Sequence, residues 1–195
     1  MSTPAPHKIA LDEAIALEGE GHRLLMAGDR AAAAERLGAA ADRYRASWEA
    51  AGPTAFGRLV GLLKARLLAG ADARADADYV LEAAGGDAAA GSPVASYARA
   101  IAVLVTGDAA AARDAVAGMR AGGEAFTRTA DALQATADGD AGAYSAALAA
   151  MVADFEGRDA HLTGVPIADT ALMLDALAHP RGLPGLPTSP VLPPA

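Results

Sequence analysis

The chain of 195 residues holds no cysteine, carries a formal net charge of −8 and is 53% apolar by count but only 4% aromatic. The lack of cysteine excludes disulfide staples, thiolate zinc centres and cysteine nucleophiles, and the acidic balance argues against unspecific attraction to nucleic acid or an anionic membrane surface. The apolar excess is alanine, the residue that gives up least on entering a helix, so an all-helical domain packed through small side chains is expected.

Helices are expected near 8–27 and 29–51, joined at Ala27-Gly28-Asp29. Glycine at such a turn takes the left-handed conformation that ends one helix, and the following aspartate caps the next, worth about 1 kcal/mol. Within the first helix Gly19 and Gly21 flank Glu20, a packing notch rather than a nucleotide-binding turn. Tyr44 and Trp48, four apart on the second helix, read as core residues ahead of an exposed partner anchor.

The second hairpin is expected at 54–69 and 72–84, opened by Pro53-Thr54 and hinged at Ala69-Gly70-Ala71-Asp72. Gly57, Gly61, Ala65 and Ala69 make a small-residue stripe for close packing inside a soluble fold. The third runs over 92–106 and 108–121, with Ser92 as N-cap, Pro93 at the first helical position and Thr106-Gly107-Asp108 as hinge. Val94, Tyr97, Ala98, Ile101, Leu104 and Val105 repeat at helical spacing along it. The fourth runs over 123–138 and 140–156 about Asp138-Gly139-Asp140, with Tyr144, Leu148, Met151, Val152 and Phe155 on one face.

Gly157 to Pro166 breaks the pattern before a ninth helix near 166–178, whose Ile167, Ala171, Leu172, Leu174 and Leu177 suit it to cap the last hairpin. Six prolines from Pro180 onward prevent further helix. The chain therefore divides into a helical domain over 1–179 and an extended Pro-rich tail over 180–195. Leu183, Leu186 and Leu192 of the tail are available to dock, while residues 187–195 are expected to matter little for stability.

The hinges lie 42, 37 and 32 residues apart, the size of a helical-hairpin repeat. From Leu17 to Trp48, the order of Gly21, Leu24, Leu25, Ala27-Gly28-Asp29, Ala33, Leu37, Ala40, Ala41 and Tyr44 resembles the tetratricopeptide class of repeats. Gly70, Gly107-Asp108 with Ala112, and Gly139-Asp140 with Tyr144 extend the resemblance over residues 10 to 156. It implies four antiparallel hairpins in an irregular right-handed array whose first helices line a concave face, with a protein or peptide partner and no enzymatic activity. A closed helical bundle is the alternative architecture.

Charge is uneven: residues 1–70 hold nine basic and eight acidic groups, residues 71–195 seven and sixteen. The first helices of the second and third hairpins carry Arg58, Lys64, Arg66 and Arg99 without an acid, so these four are the candidate binding residues of a basic groove for an acidic peptide or protein tail. Asp72, Asp76, Asp78, Glu82 and Asp87 face only Arg74 on the adjoining segment, which suits a second reading as an immunity or inhibitor protein with an acidic face. A third reading, a helical enzyme or small-ligand protein, rests on a pocket near His161, where Glu156 or Asp159 pairs with the imidazole; a salt-bridged helix end explains the same cluster.

His7, His22, His161 and His179 are scattered, without HExxH spacing, and GxSxG, phosphate-loop and GxGxxG patterns are missing. No catalytic residue, metal or cofactor is therefore expected. Asparagine is absent and lysine occurs only at positions 8 and 64, a bias of GC-rich coding that points to a bacterial source. The opening MSTPAPHKIA has no apolar run fit for a signal peptide, so a cytoplasmic protein without nucleic-acid or membrane partners is expected.

Overall fold

The computed structural model describes residues 4–194; the first three residues of the expected 1–179 domain and residue 195 of the tail lie outside the described residues. Those described form nine α-helices and no strand: α1 Pro6–Met26, α2 Arg30–Ala51, α3 Gly57–Leu68, α4 Arg74–Ala83, α5 Pro93–Thr106, α6 Ala109–Met119, α7 Glu124–Asp138, α8 Ala141–Glu156 and α9 Asp169–Ala178. No described helix is long and apolar enough to cross a membrane.

The hinge chemistry explains the boundaries. Gly28, Gly70, Gly107 and Gly139 all take positive φ, between 67° and 94°, where a side chain would be strained. Asp29, Asp108 and Asp140 then accept hydrogen bonds from the backbone N–H of Ala32, Ala111 and Ala143 at 3.1, 2.9 and 3.0 Å. Asp72 instead accepts from Arg74 N at 2.9 Å, with Ala73 in the capping position. Ser92 caps α5 through Ala95 N, and Pro93 is its first residue.

One expected start is displaced. Pro53 and Thr54 lie in a turn, and α3 begins only at Gly57. Gly52 reverses the chain with φ 88°, and the intervening residues bring Phe56 back onto α2, its ring 5.3 Å from that of Trp48. Trp48 and Tyr44 are both buried in the main core, so neither is a surface anchor.

Helices adjacent in sequence pack against one another, and α3 also meets α5, as α5 meets α7. The ninth helix reaches further than the last hairpin: it packs on α8, on α7 and on α3. This placement brings the first residue of α9 to the middle of the chain's second hairpin.

The tail is extended but not loose. Leu183, Val191 and Leu192 are buried in the same core as the helices, and Ala168 N donates to Val191 O at 2.8 Å. The expectation that residues 187–195 matter little for stability meets a buried Val191 and Leu192, because proline stops a helix without preventing its apolar neighbours from docking.

A candidate ligand cavity above a buried charged floor

Glu18 and His22 stand one helical turn apart on α1 and point to the same side. Two glycines let other elements close on that side. A Cβ at Gly21 would lie 2.6 Å from Leu37, so the expected notch admits α2. A Cβ at Gly19 would lie 3.2 Å from the carbonyl oxygen of Thr163, so the loop between α8 and α9 comes down onto α1. It sets Thr163 Oγ1 3.0 Å from His22 Nδ1.

The small-residue stripe of α3 has an equally local purpose. A Cβ at Gly61 would lie 2.8 Å from the Tyr44 ring; the recess seats that ring, and the Tyr44 hydroxyl donates to Glu18 Oε2 at 2.7 Å. Three residues on, Lys64 projects to Asp169, the first residue of α9, and forms an ion pair through Oδ2. Asp169 Oδ1 accepts from Thr170 N at 2.7 Å. Helices α1, α2, α3 and α9 and the 157–168 loop thus converge on one polar floor.

Burial governs its electrostatics. It lifts the Glu18 carboxyl above its ordinary range, opposed by Lys64 and the Tyr44 hydrogen bond. It pulls His22 down to about 4, leaving the ring neutral near pH 7. For Asp169 and Lys64 burial disfavours charge, but their attraction wins, lowering the acid and raising the amine. Tyr44 is raised by burial and by Glu18. The floor therefore carries two acids, one ammonium and a neutral imidazole. Among the described residues His22 Nε2 has no hydrogen-bond partner, although the residue is only 1% exposed, and Glu18 Oε1 lies 3.9 Å from it.

Above the floor opens a cavity of about 260 Å³. His22, Lys64 and Asp169 line its bottom, Phe126 of α7 with Met151 and Phe155 of α8 form an apolar wall, and His161 and Leu162 of the loop stand on another side. Asp154 clamps the rim: it accepts from Arg128 and Arg158, both at 2.6 Å. Burial pushes Asp154 up, and the two guanidinium groups hold it below its ordinary range. Arg158 lies 3.6 Å over the Phe155 ring, and the His161 ring is 6.1 Å from it.

The four basic candidates are not brought together. Lys64 lines this cavity and Arg58 a separate shallow depression beside Leu11 and Val94, while Arg66 and Arg99 line neither. Arg58 donates to Ser47 Oγ at 2.6 Å, and Arg66 pairs with Asp76 at 2.6 Å and Asp42 at 2.7 Å. Arg99 is exposed on α5. Of the expected acidic face, Asp72, Asp78, Glu82 and Asp87 are exposed, whereas Asp76 is buried against Arg66. Glu156 accepts from Ser189 at 2.6 Å, while His161 does reach a pocket.

Glu18, His22, Thr163 and Asp169 were not singled out from the sequence. Spacing alone marks the first two, since Glu18-x-x-x-His22 places both on one helical face; nothing local links them to Asp169. No family model, no curated protein and no solved structure matches the chain.

Proposed function

We propose that this chain is a small-ligand-binding protein whose site is the cavity between α7, α8 and the 157–168 loop, floored by Lys64, Asp169 and His22. The observation that carries this reading is the pairing of an apolar wall with a convergent set of buried polar groups, the ordinary anatomy of a ligand pocket. The floor selects the polar end of the ligand and Phe126, Met151 and Phe155 its apolar body. The volume suits a compact molecule rather than a peptide segment. Arg58, Lys64 and Arg66, expected to meet an acidic peptide, already hold internal partners, and α9 covers part of α3 and α7.

The test is ligand-observed NMR of a metabolite mixture against the wild-type chain and Ala125→Trp. Ala125 is exposed at the cavity wall near the start of α7, so the indole narrows the cavity without entering the core. Compounds that contact the wild type and not the variant support the reading. Identical profiles for the two, or no bound compound, would remove the cavity as the functional site.

A further inference from the structure

Three donors at or just beneath the cavity floor come from two distant parts of the chain: Glu18 and His22 from α1, Asp169 from the start of α9. One ligand atom of each lies within 4.8 Å of the others. We propose that Glu18, His22 and Asp169 form a divalent-cation site that the Lys64 ammonium holds closed until a cation displaces it.

Geometry supports the assignment first. Donors about 2.1 Å from a shared tetrahedral ion stand about 3.4 Å apart, so the trio closes on an ion by side-chain shifts on the order of 1 Å. Glu18 Oε1 and His22 Nε2, at 3.9 Å, already stand within about 0.5 Å of that spacing. The second observation is the orphaned ring nitrogen. His22 is 1% exposed, and its Nε2 has no hydrogen-bond partner among the described residues while Glu18 Oε1 lies 3.9 Å away. A buried polar atom left unpaired destabilises a fold unless something completes it.

The other ring nitrogen is arranged as a ligating histidine requires. The hydrogen bond between Nδ1 and Thr163 Oγ1 fixes the ring's orientation, and in the tautomer with the proton on Nδ1 the free lone pair sits on Nε2. One imidazole nitrogen with carboxylate oxygens suits Mn²⁺, Fe²⁺ or Zn²⁺ better than Ca²⁺, which takes an all-oxygen shell.

Charge explains the part of Lys64. Lys64 takes Asp169 Oδ2 where a cation would sit, so one positive charge stands in for another. Lys64 also lines the cavity and lies 3.4 Å from Thr170 Oγ1, so its four-carbon stem has room to carry the ammonium aside. The cation reaches its seat through the same cavity, since His22 and Asp169 both border it.

The experiment is calorimetric titration of the chelator-treated full chain with Mn²⁺ and with Zn²⁺, followed by Mn²⁺ electron paramagnetic resonance and thermal unfolding. One equivalent is expected to bind, with affinity reduced at least tenfold in Asp169→Asn and in His22→Gln. Lys64→Met provides the opposite sign: without the competing ammonium it binds Mn²⁺ at least tenfold more tightly, and its melting temperature, depressed in chelator, rises more on adding the ion than that of the wild type. This design keeps the proposal testable even where His22→Gln fails to fold. The cation alone is the probe, so the result is independent of the cavity's organic ligand. Absence of binding at 1 mM ion in both wild type and Lys64→Met, or unchanged binding in Asp169→Asn, would overturn the site; weaker binding by Lys64→Met would overturn the closing role of the lysine.

Discussion

A methyl group at position 61 would stand 2.8 Å from three atoms of the Tyr44 ring. That ring is buried and tethered to Glu18, so it has little freedom to yield. Gly61→Ala is therefore expected to destabilise the protein by about 1–3 kcal/mol through overpacking, outweighing the smaller gain in helix propensity of about 1 kcal/mol. Gly57→Ala, with nothing within 4 Å, is expected to be neutral or slightly stabilising. Urea unfolding of the two variants tests the pair: equal midpoints would show that Tyr44 does not depend on the recess. Tyr144 offers the reverse case, a buried hydroxyl without a partner. Tyr144→Phe should leave stability unchanged or raise it by about 1 kcal/mol, and a loss of that size would reveal a hydrogen bond to the hydroxyl.

At the scale of the element, the hinge aspartates are the clearest local determinants. Asp108 satisfies one of the N–H groups that α6 leaves unpaired at its start, and Asp108→Ala is expected to cost about 1 kcal/mol, with Asp108→Ser recovering most of it. Equal losses for both variants in a chemical denaturation series would mean that the carboxylate acts through charge and not as a cap. Helix α9 is built differently. Its capping position is Ala168, whose methyl group can accept no hydrogen bond, and the first residue, Asp169, is committed to Lys64 as well as to Thr170 N. A residue that reads as an ordinary acidic helix start in sequence is here fastened to another helix. For the same reason the candidate site was only half legible: Glu18 and His22 announce a shared face, but the partner of that face lies almost 150 positions away.

For the whole molecule, the tail decides how much of the chain is one cooperative unit. Leu183, Val191 and Leu192 belong to the main core, and burying such side chains is worth about 1.5–3 kcal/mol each before the entropy of ordering is subtracted. Deleting residues 183–195 is expected to lower stability by several kcal/mol, and deleting 187–195 alone by about 2 kcal/mol or more. An unchanged unfolding midpoint after the shorter deletion would show that Val191 and Leu192 contribute nothing. Because Ile167 and Asp169 line the cavity and Ala168 between them is hydrogen-bonded to Val191, the same deletion should also loosen the cavity, seen as weaker binding of any compound identified there.

The helices and their hinges were determined by sequence, because their causes are local: alanine favours helix, glycine ends it with positive φ, and the next aspartate caps its successor. Burial of Tyr44 and Trp48 followed from the tendency of large aromatic side chains to fill the space between helices, and the notch at Gly21 from a glycine set within a helix. The cavity and its floor were decided only by tertiary structure. Lys64, on α3 among the basic candidates, turns inward to Asp169, and His161, one of four scattered histidines, faces a pocket whose bottom is His22. Spacing within a helix specifies which side chains share a face. The element that face meets depends on the packing of distant segments, here the return of α9 and the 157–168 loop across α1 and α3.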